Sequence, residues 1–234
     1  MEVLGIIPAR QGSKGIKYKN IIPLLGKPLI SYTIMAAKKS KMISRLIVSS
    51  DDPKILAIAE SEGVKTPFLR PESLATGETP SADVAIHAFQ KVQSIEGKKY
   101  DAIILLQPTS PLRTTYDIDN AINLLEEKDA DSVISVMKLE KCHPFKLLRV
   151  ENEKLKPLYP EKWKGSIRRQ EMPPIYITNG AIYCIKSHLL IKNRTFWSDN
   201  NIPYIMPPER SIDIDSVIDL KLAEILLKER IENE

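Results

Sequence analysis

Only two cysteines, Cys142 and Cys184, occur in 234 residues. Two thiols make at most one disulfide and no zinc cluster, which fits a reducing compartment. The three histidines, His87, His143 and His188, stand at no metal-ligand spacing, and no Ser–His–Asp or Cys–His arrangement is suggested. The adjacent Cys142-His143 pair reads as packing or surface. No apolar run approaches the roughly 18–20 residues that span a bilayer, so no membrane association is expected. The opening Met1-Glu2-Val3-Leu4-Gly5 places an acid where a signal peptide needs a base, and the expected location is the cytoplasm. Thirty-four Lys and Arg against 30 Asp and Glu leave a net charge of +4. That excess is too small and scattered to argue for a nucleic-acid partner, and would suit an anionic small substrate equally well. Neither G-x-x-x-x-G-K-[ST] nor G-x-G-x-x-G occurs, which excludes a Walker loop and the dinucleotide fingerprint. There is no internal repeat and no low-complexity tract.

What is present reads as one α/β domain over residues 1–234. Apolar residues make up 43% and charged residues 27%, ordinary globular usage that argues against extended disorder. Apolar runs of strand length at 3–7, 46–48, 102–106, 132–137 and 175–185 alternate with helical periods, and 64–69 adds a weak strand. Pro28 opens a helix to Lys39 at a first-turn position where its missing N–H costs nothing. Asp51 and Asp52 before Pro53 supply an N-cap for a helix ending at Gly63. Residues 81–92 repeat apolar positions at Ala85, Ala88, Phe89 and Val92, and a further helix carries Ile118, Ala121, Ile122 and Leu125. A last helix presents Ile218, Leu222, Ile225 and Leu226 on one face. Strands apolar on both faces, separated by amphipathic helices, indicate a three-layer sandwich with a mainly parallel sheet. Residues 138–174 break the pattern: rich in Lys, Glu and Pro and aperiodic, they are too long for a simple connection. Such an insertion is functional, disordered or an interface arm, and because two-fold dimers are the commonest assembly a homodimer is expected.

The loop after the first strand is Arg10-Gln11-Gly12-Ser13-Lys14-Gly15-Ile16-Lys17-Tyr18-Lys19-Asn20. In an open α/β sheet it lies at the carboxyl edge, where ligands bind. Two glycines allow close backbone approach, and Arg10, Lys14 and Lys19 supply the positive charge that polyphosphate needs. A solvated basic loop is the ordinary alternative. Gln107 leaves the end of an apolar strand and would face the same cleft, unless it only caps the turn 108–111. In Ser211-Ile212-Asp213-Ile214-Asp215, polar and apolar residues alternate, so an extended segment turns both carboxylates to one side. At about 3.4 Å per residue they stand about 7 Å apart and can converge on Mg²⁺, which takes one or two carboxylates plus phosphates and waters. The ordinary alternative is that Asp215 N-caps the last helix.

Read together, the loop resembles the R-x-G-S-K-G-x-x-x-K-N signature of the cytidylyltransferases that activate acidic nine-carbon sugars: the CMP-acylneuraminate (sialic acid) synthetases and their legionaminate and pseudaminate relatives. The resemblance continues in Gly26-Lys27-Pro28-Leu29-Ile30, Val48-Ser49-Ser50-Asp51, Phe68-Leu69-Arg70-Pro71 and Leu106-Gln107-Pro108-Thr109-Ser110-Pro111-Leu112-Arg113. It returns in Arg168-Arg169-Gln170 and Asn179-Gly180-Ala181-Ile182-Tyr183 and ends at Asp215, with every match in family order.

The resemblance implies a nucleotide-diphospho-sugar transferase-like, Rossmann-like fold and a magnesium-dependent attack of a sugar's anomeric hydroxyl on the α-phosphate of CTP. It implies that Arg10, Ser13, Lys14 and Lys19 contact the triphosphate, and that Asn20, Arg70 and Ser81 contact the cytosine. Gln107 orients the acceptor, and Arg168 or Arg169 reaches a neighbouring subunit's acidic sugar from the arm. Asp213 and Asp215 hold Mg²⁺, and Asp215 helps take the proton. The alternatives are a 3-deoxy-octulosonate or other sugar nucleotidyltransferase, and a non-catalytic nucleotide-binding protein.

Overall fold

In the computed structural model, residues 1–13, 15–140, 142–163, 168, 170 and 172–233 are described. Strand β1 (Val3–Pro8) leads through the basic loop and a two-residue hairpin, β2 (Pro23–Leu24) with β3 (Lys27–Pro28), into helix α1 (Leu29–Lys38). Then follow β4 (Arg45–Ser49), α2 (Pro53–Ser61), α3 (Ser81–Glu96), β5 (Ala102–Leu105), α4 (Thr115–Glu127) and β6 (Ser132–Lys138). The chain continues through β7 (Leu148–Glu151), β8 (Lys154–Pro157), β9 (Tyr176–Lys186), α5 (Ser187–Asn193), β10 (Asn201–Ile205) and α6 (Val217–Asn233).

Six strands form the central sheet in the order β10-β6-β9-β5-β1-β4. The pairs β1–β4, β1–β5 and β6–β10 are parallel, and β9 runs antiparallel between β5 and β6. Alternate residues serve opposite faces. Val3, Ile7 and Ile104 pack with Ile34, Ile55 and Ile118 from α1, α2 and α4. Leu4, Ile6 and Ile103 pack with Ala85 and Phe89 of α3 and Leu190 of α5. This is the expected three-layer arrangement with a mostly parallel sheet. It places the ends of β1, β4 and β5 at one edge.

Three local expectations change. Pro28 precedes α1 rather than entering it: at φ −55, ψ 140 it is extended and pairs with Pro23. Residues 64–69 form no strand. Thr66 Oγ1 accepts from Val48 N and donates to Val48 O, both at 3.0 Å, so one side chain replaces a ladder at the sheet's edge. Pro67, next to it, has no N–H to offer. On α6, Ala223 and Leu227 face inward, onto Ile16, Leu29 and Ile214. Ile218 and Ile225 remain 77% and 54% exposed. That helix is apolar on several sides and packs on the basic loop rather than on a sheet face, so periodicity alone selected the wrong stripe.

Within 138–174, strands β7 and β8 make an antiparallel hairpin, Val150 opposite Leu155 and Leu148 opposite Pro157. No helix among the described residues is long and apolar enough to cross a membrane.

Candidate active site

The basic loop is tied down at both ends. Ala9 N donates to Ser49 O at 2.9 Å, and Gln11 N donates to Asp51 Oδ1 at 3.0 Å. Asn20, 7% exposed, donates from Nδ2 to Arg10 O at 2.9 Å and so fastens the loop's end to its beginning. Lys19 Nζ donates to Ile214 O and to Asp215 Oδ1, each at 2.8 Å. Gly15 lies against the Asp215 carbonyl so closely that a Cβ there would collide with it. Only glycine allows that approach. The first loop and the 211–215 segment, two hundred residues apart, are therefore one unit.

Arg70 comes in from the far side. Its backbone N–H donates to Ser50 O at 2.8 Å, and its Nη2 reaches Asp51 Oδ1 at 3.4 Å. The guanidinium is 3% exposed, and its Nε is buried without a partner. Burial pulls its pKa below the usual arginine value, while Asp51 works against that. Asp51 thus touches both the loop and Arg70, a coupling that sequence reading did not single out.

These groups enclose a cavity of about 380 Å³ lined by Arg10, Ser13, Lys19, Asn20, Arg70 and Asp215. Ser81 and Gln107 complete it, with Thr76 and Thr79 on the far wall. Ser81 does not cap α3, since Pro80 holds the cap position. A smaller cavity of about 240 Å³ shares Ser81 and Gln107 with the first and is lined by Tyr183, Arg194, Phe196 and Trp197. Sequence reading missed these four because no motif spacing links 194–197 to 81 or 107; only the β5–β9 pairing and the turn after α5 bring them together.

Behind Gln107 stands Asp213. Its Oδ1 is buried and has no hydrogen-bond partner. Burial pushes its carboxyl above the usual aspartate range, opposed by the Thr109 hydroxyl and reinforced by Asp215. Gly180, at φ +74, gives it room: a Cβ there would sit 3.0 Å from Asp213 Oδ2 and 3.5 Å from Gln107 Oε1. The segment 211–215 forms no strand, but Ile214 is buried as expected, and its N–H donates to Thr109 O at 2.8 Å. Asp215 does not cap α6. Ser216 N and Oγ both donate to Asp219 Oδ2 at 2.7 Å, a local closure that leaves the Asp215 carboxylate to Lys19 and the cavity. An orphaned buried carboxylate oxygen beside a second carboxylate and a cationic loop is an oxygen-only donor set suited to a hard divalent cation that arrives with phosphates. Among the described residues no group of three or more His, Cys, Asp or Glu could hold a metal alone, so phosphate oxygens would have to complete the shell.

Arg168 is exposed and lines neither of these cavities. Lys14 and Arg169 lie outside the described residues.

Residues 4–229 match the model of the family described as cytidylyltransferase. The chain belongs to that family. Among its relatives is CMP-N,N'-diacetyllegionaminic acid synthase of Legionella pneumophila, 34% identical over 229 residues and matched over 97% of both chains. Another is N-acylneuraminate cytidylyltransferase of Escherichia coli, 34% identical over 223 residues, a match that takes in 95% of this chain and 51% of that longer one. The fold agrees with CMP:2-keto-3-deoxy-manno-octonic acid synthetase complexed with CTP, at a TM-score of 0.73 and 17% identity over 98% of this chain and 100% of the other. As a cytidylyltransferase the chain is a CTP-dependent nucleotidyltransferase, and its cavity is built as such an enzyme needs: cationic side chains and loop N–H groups at one end, a buried guanidinium at the other.

Proposed function

We propose that this cytidylyltransferase joins CMP to an acidic nonulosonate of the N-acetylneuraminate, legionaminate or pseudaminate type, releasing pyrophosphate. The observation that carries the reading is the pair of cavities meeting at Ser81 and Gln107, one cationic and one partly aromatic. The first is sized and charged for CTP; the second adjoins it where an acceptor must stand to attack in line. In the reaction the acceptor's anomeric oxygen forms a bond to the α-phosphorus, the bond to the β-phosphate's bridging oxygen breaks, and pyrophosphate leaves. Arg10, Ser13 and Lys19 hold the triphosphate and meet the charge that develops on it. Asn20 and Arg70 receive the cytosine, Gln107 orients the acceptor, and Asp215 takes the hydroxyl proton. Asp213 and Asp215 would hold Mg²⁺, which when bound there neutralises phosphate charge and acidifies the attacking hydroxyl. The use of soluble CTP supports a cytoplasmic location. Pyrophosphate release from CTP, measured with N-acetylneuraminate, legionaminate, pseudaminate and 3-deoxy-octulosonate, tests the assignment. Turnover with a nine-carbon acid and little with the eight-carbon acid is expected; equal or absent turnover across all four refutes it.

The same reading makes the protein a homodimer through 138–174. One face of the β7–β8 hairpin carries Leu148, Val150 and Leu155, which are 44%, 72% and 69% exposed, and the other carries Arg149, Glu151 and Lys156. A two-stranded hairpin with its apolar face in water is marginal alone, and a second copy is the partner of matching chemistry. The arm would also carry Arg168 and Arg169 toward the neighbour's sugar carboxylate. Val150→Glu with Leu155→Glu should convert the dimer to a monomer in light scattering, with CTP binding retained and acceptor KM raised. A double variant that stays dimeric with unchanged KM rules out the arm as the interface.

A further inference from the structure

Asp213 sits in a segment with no ladder to fix it, yet a catalytic carboxylate must be held to within a fraction of an ångström. The anchor is a buried polar bridge across three elements. Between the pairs Ile134–Tyr183 and Val136–Thr178 the register shifts, so that residues 179–182 of β9 bulge opposite Ser135 of β6. Ser135 Oγ accepts from Ile182 N at 2.7 Å and donates to Asn179 Oδ1 at 2.6 Å. Asn179 Oδ1 also accepts from Ala181 N at 3.3 Å. Its Nδ2 donates to Ser211 Oγ at 2.9 Å and faces Met206 Sδ at 3.3 Å. Ser211 Oγ in turn donates to Pro207 O at 2.8 Å. All four hydrogen-bonding positions of the amide are used, and Ser135, Asn179 and Ser211 are each 5% exposed or less. A fully satisfied buried network of this kind favours one arrangement of the groups it joins, because any alternative leaves a donor or acceptor unpaired.

The bridge ends two residues before Asp213 and one residue before Gly180, the glycine on which the Asp213 carboxylate rests. We propose that Asn179 and Ser211 are positioning residues that clamp the Asp213 carboxylate at the gap beside Gln107. The clamp rests on the reading of Asp213 as a ligand of the nucleotide-bound cation. Neither residue lines either cavity, so the clamp acts through Asp213.

The test uses the full chain with Mn²⁺ as a paramagnetic substitute, its affinity for the CTP complex read by water-proton relaxation. CTP binding without metal is measured by calorimetry. Ser211→Ala and Asn179→Ser should each weaken Mn²⁺ binding by about tenfold or more, the usual scale for removing an outer-shell partner of a metal ligand. The metal-free CTP Kd should stay within twofold. Ile55→Val, a core truncation in α2 remote from this segment, should lower Tm without moving the Mn²⁺ affinity. Should either clamp variant fail to fold, the other carries the measurement. Clamp variants that bind Mn²⁺ within twofold of the parent, while Asp213→Asn abolishes binding, overturn the clamp and leave the metal assignment standing. An Asp213→Asn variant with unchanged Mn²⁺ affinity overturns both.

Discussion

Asp213→Asn should lower kcat by about 10²–10³-fold, the scale of losing one preorganised electrostatic group, without loss of stability. The two halves of that expectation have one cause. The Asp213 carboxylate is buried, its Oδ1 has no donor, and burial holds its pKa above the ordinary aspartate value. A carboxyl whose folded pKa is raised is harder to ionise in the native state than in the unfolded chain. At neutral pH it therefore costs stability, and the cost disappears as pH falls through the folded pKa. An asparagine carries no charge to desolvate, so Tm in the absence of ligand should be equal or higher while turnover collapses. A group kept against its own stability cost is kept for chemistry. The same direction predicts that, at limiting Mg²⁺, activity falls on the acid side at a higher pH than an ordinary aspartate of about 3.9 would give. Asp213→Asn should lose that limb. Asp215→Asn is the contrast: its carboxylate is 79% exposed in a pair with Lys19, so its stability effect should stay within about 1 kcal/mol. A normal kcat and unchanged magnesium dependence in Asp213→Asn would place the metal elsewhere. Tm is read by calorimetry or circular dichroism on the same samples.

Arg113→Met should destabilise the protein by about 2–4 kcal/mol, the scale of leaving two buried neutral groups without their donor. Arg113 is 2% exposed and makes no hydrogen bond to a carboxylate. Its Nη1 donates to Ala181 O at 2.7 Å and Gln107 O at 3.2 Å, and its Nη2 donates to Thr33 Oγ1 at 2.7 Å. Burial draws its pKa down to about 9, with nearby Asp117 pulling upward, so the guanidinium remains charged at neutral pH. One side chain thereby joins α1, the end of β5 and the Gly180 turn of β9. Methionine fills much of the stem's volume but leaves the Ala181 carbonyl and the Thr33 hydroxyl without a donor, at about 1–3 kcal/mol each, partly offset because no charge is then buried. For a chain of this size, at about 2–4 °C per kcal/mol, Tm should fall by about 4–16 °C. The Gln107 carbonyl keeps Thr33 Oγ1 and Ser110 N but loses the shorter bond from Arg113 Nη1, so kcat should fall more than the CTP Kd rises. Urea unfolding at constant m-value measures the stability change. A loss under about 1 kcal/mol would show that the sheet edge holds itself without this residue.

Strand and helix identity was legible wherever one element buried a face against the sheet. The runs at 3–7, 102–106 and 132–137 and the period of 115–127 follow from burial on two faces or one, and burial is written in residue type. Legibility failed where the partner was not a sheet. On α6 several sides are apolar, and only packing against Ile16 and Ile214 selects Ala223 and Leu227. At 64–69 a hydroxyl of Thr66 took the place of a strand's backbone bonds, which no propensity expresses.

For the site, sequence by itself determined the chemical inventory and its family. The basic loop and the Asp213 and Asp215 pair imply phosphate and cation contacts by residue type, and Gln107 faces the cleft from the end of its strand. The base contacts of Asn20 and Arg70 are what the resemblance to the family implies. The tertiary structure alone decided which of them share a cavity and which are held behind it. Lys19 finds Asp215 across 196 residues, and Gly180 admits Asp213 beside Gln107. Asn179, Asp51 and Arg113 act through contacts made when distant segments close on one sheet edge. Sequence order records none of those contacts, because a hydrogen bond between side chains remote in the chain is a property of the packed state and leaves no period or spacing in the residues that make it.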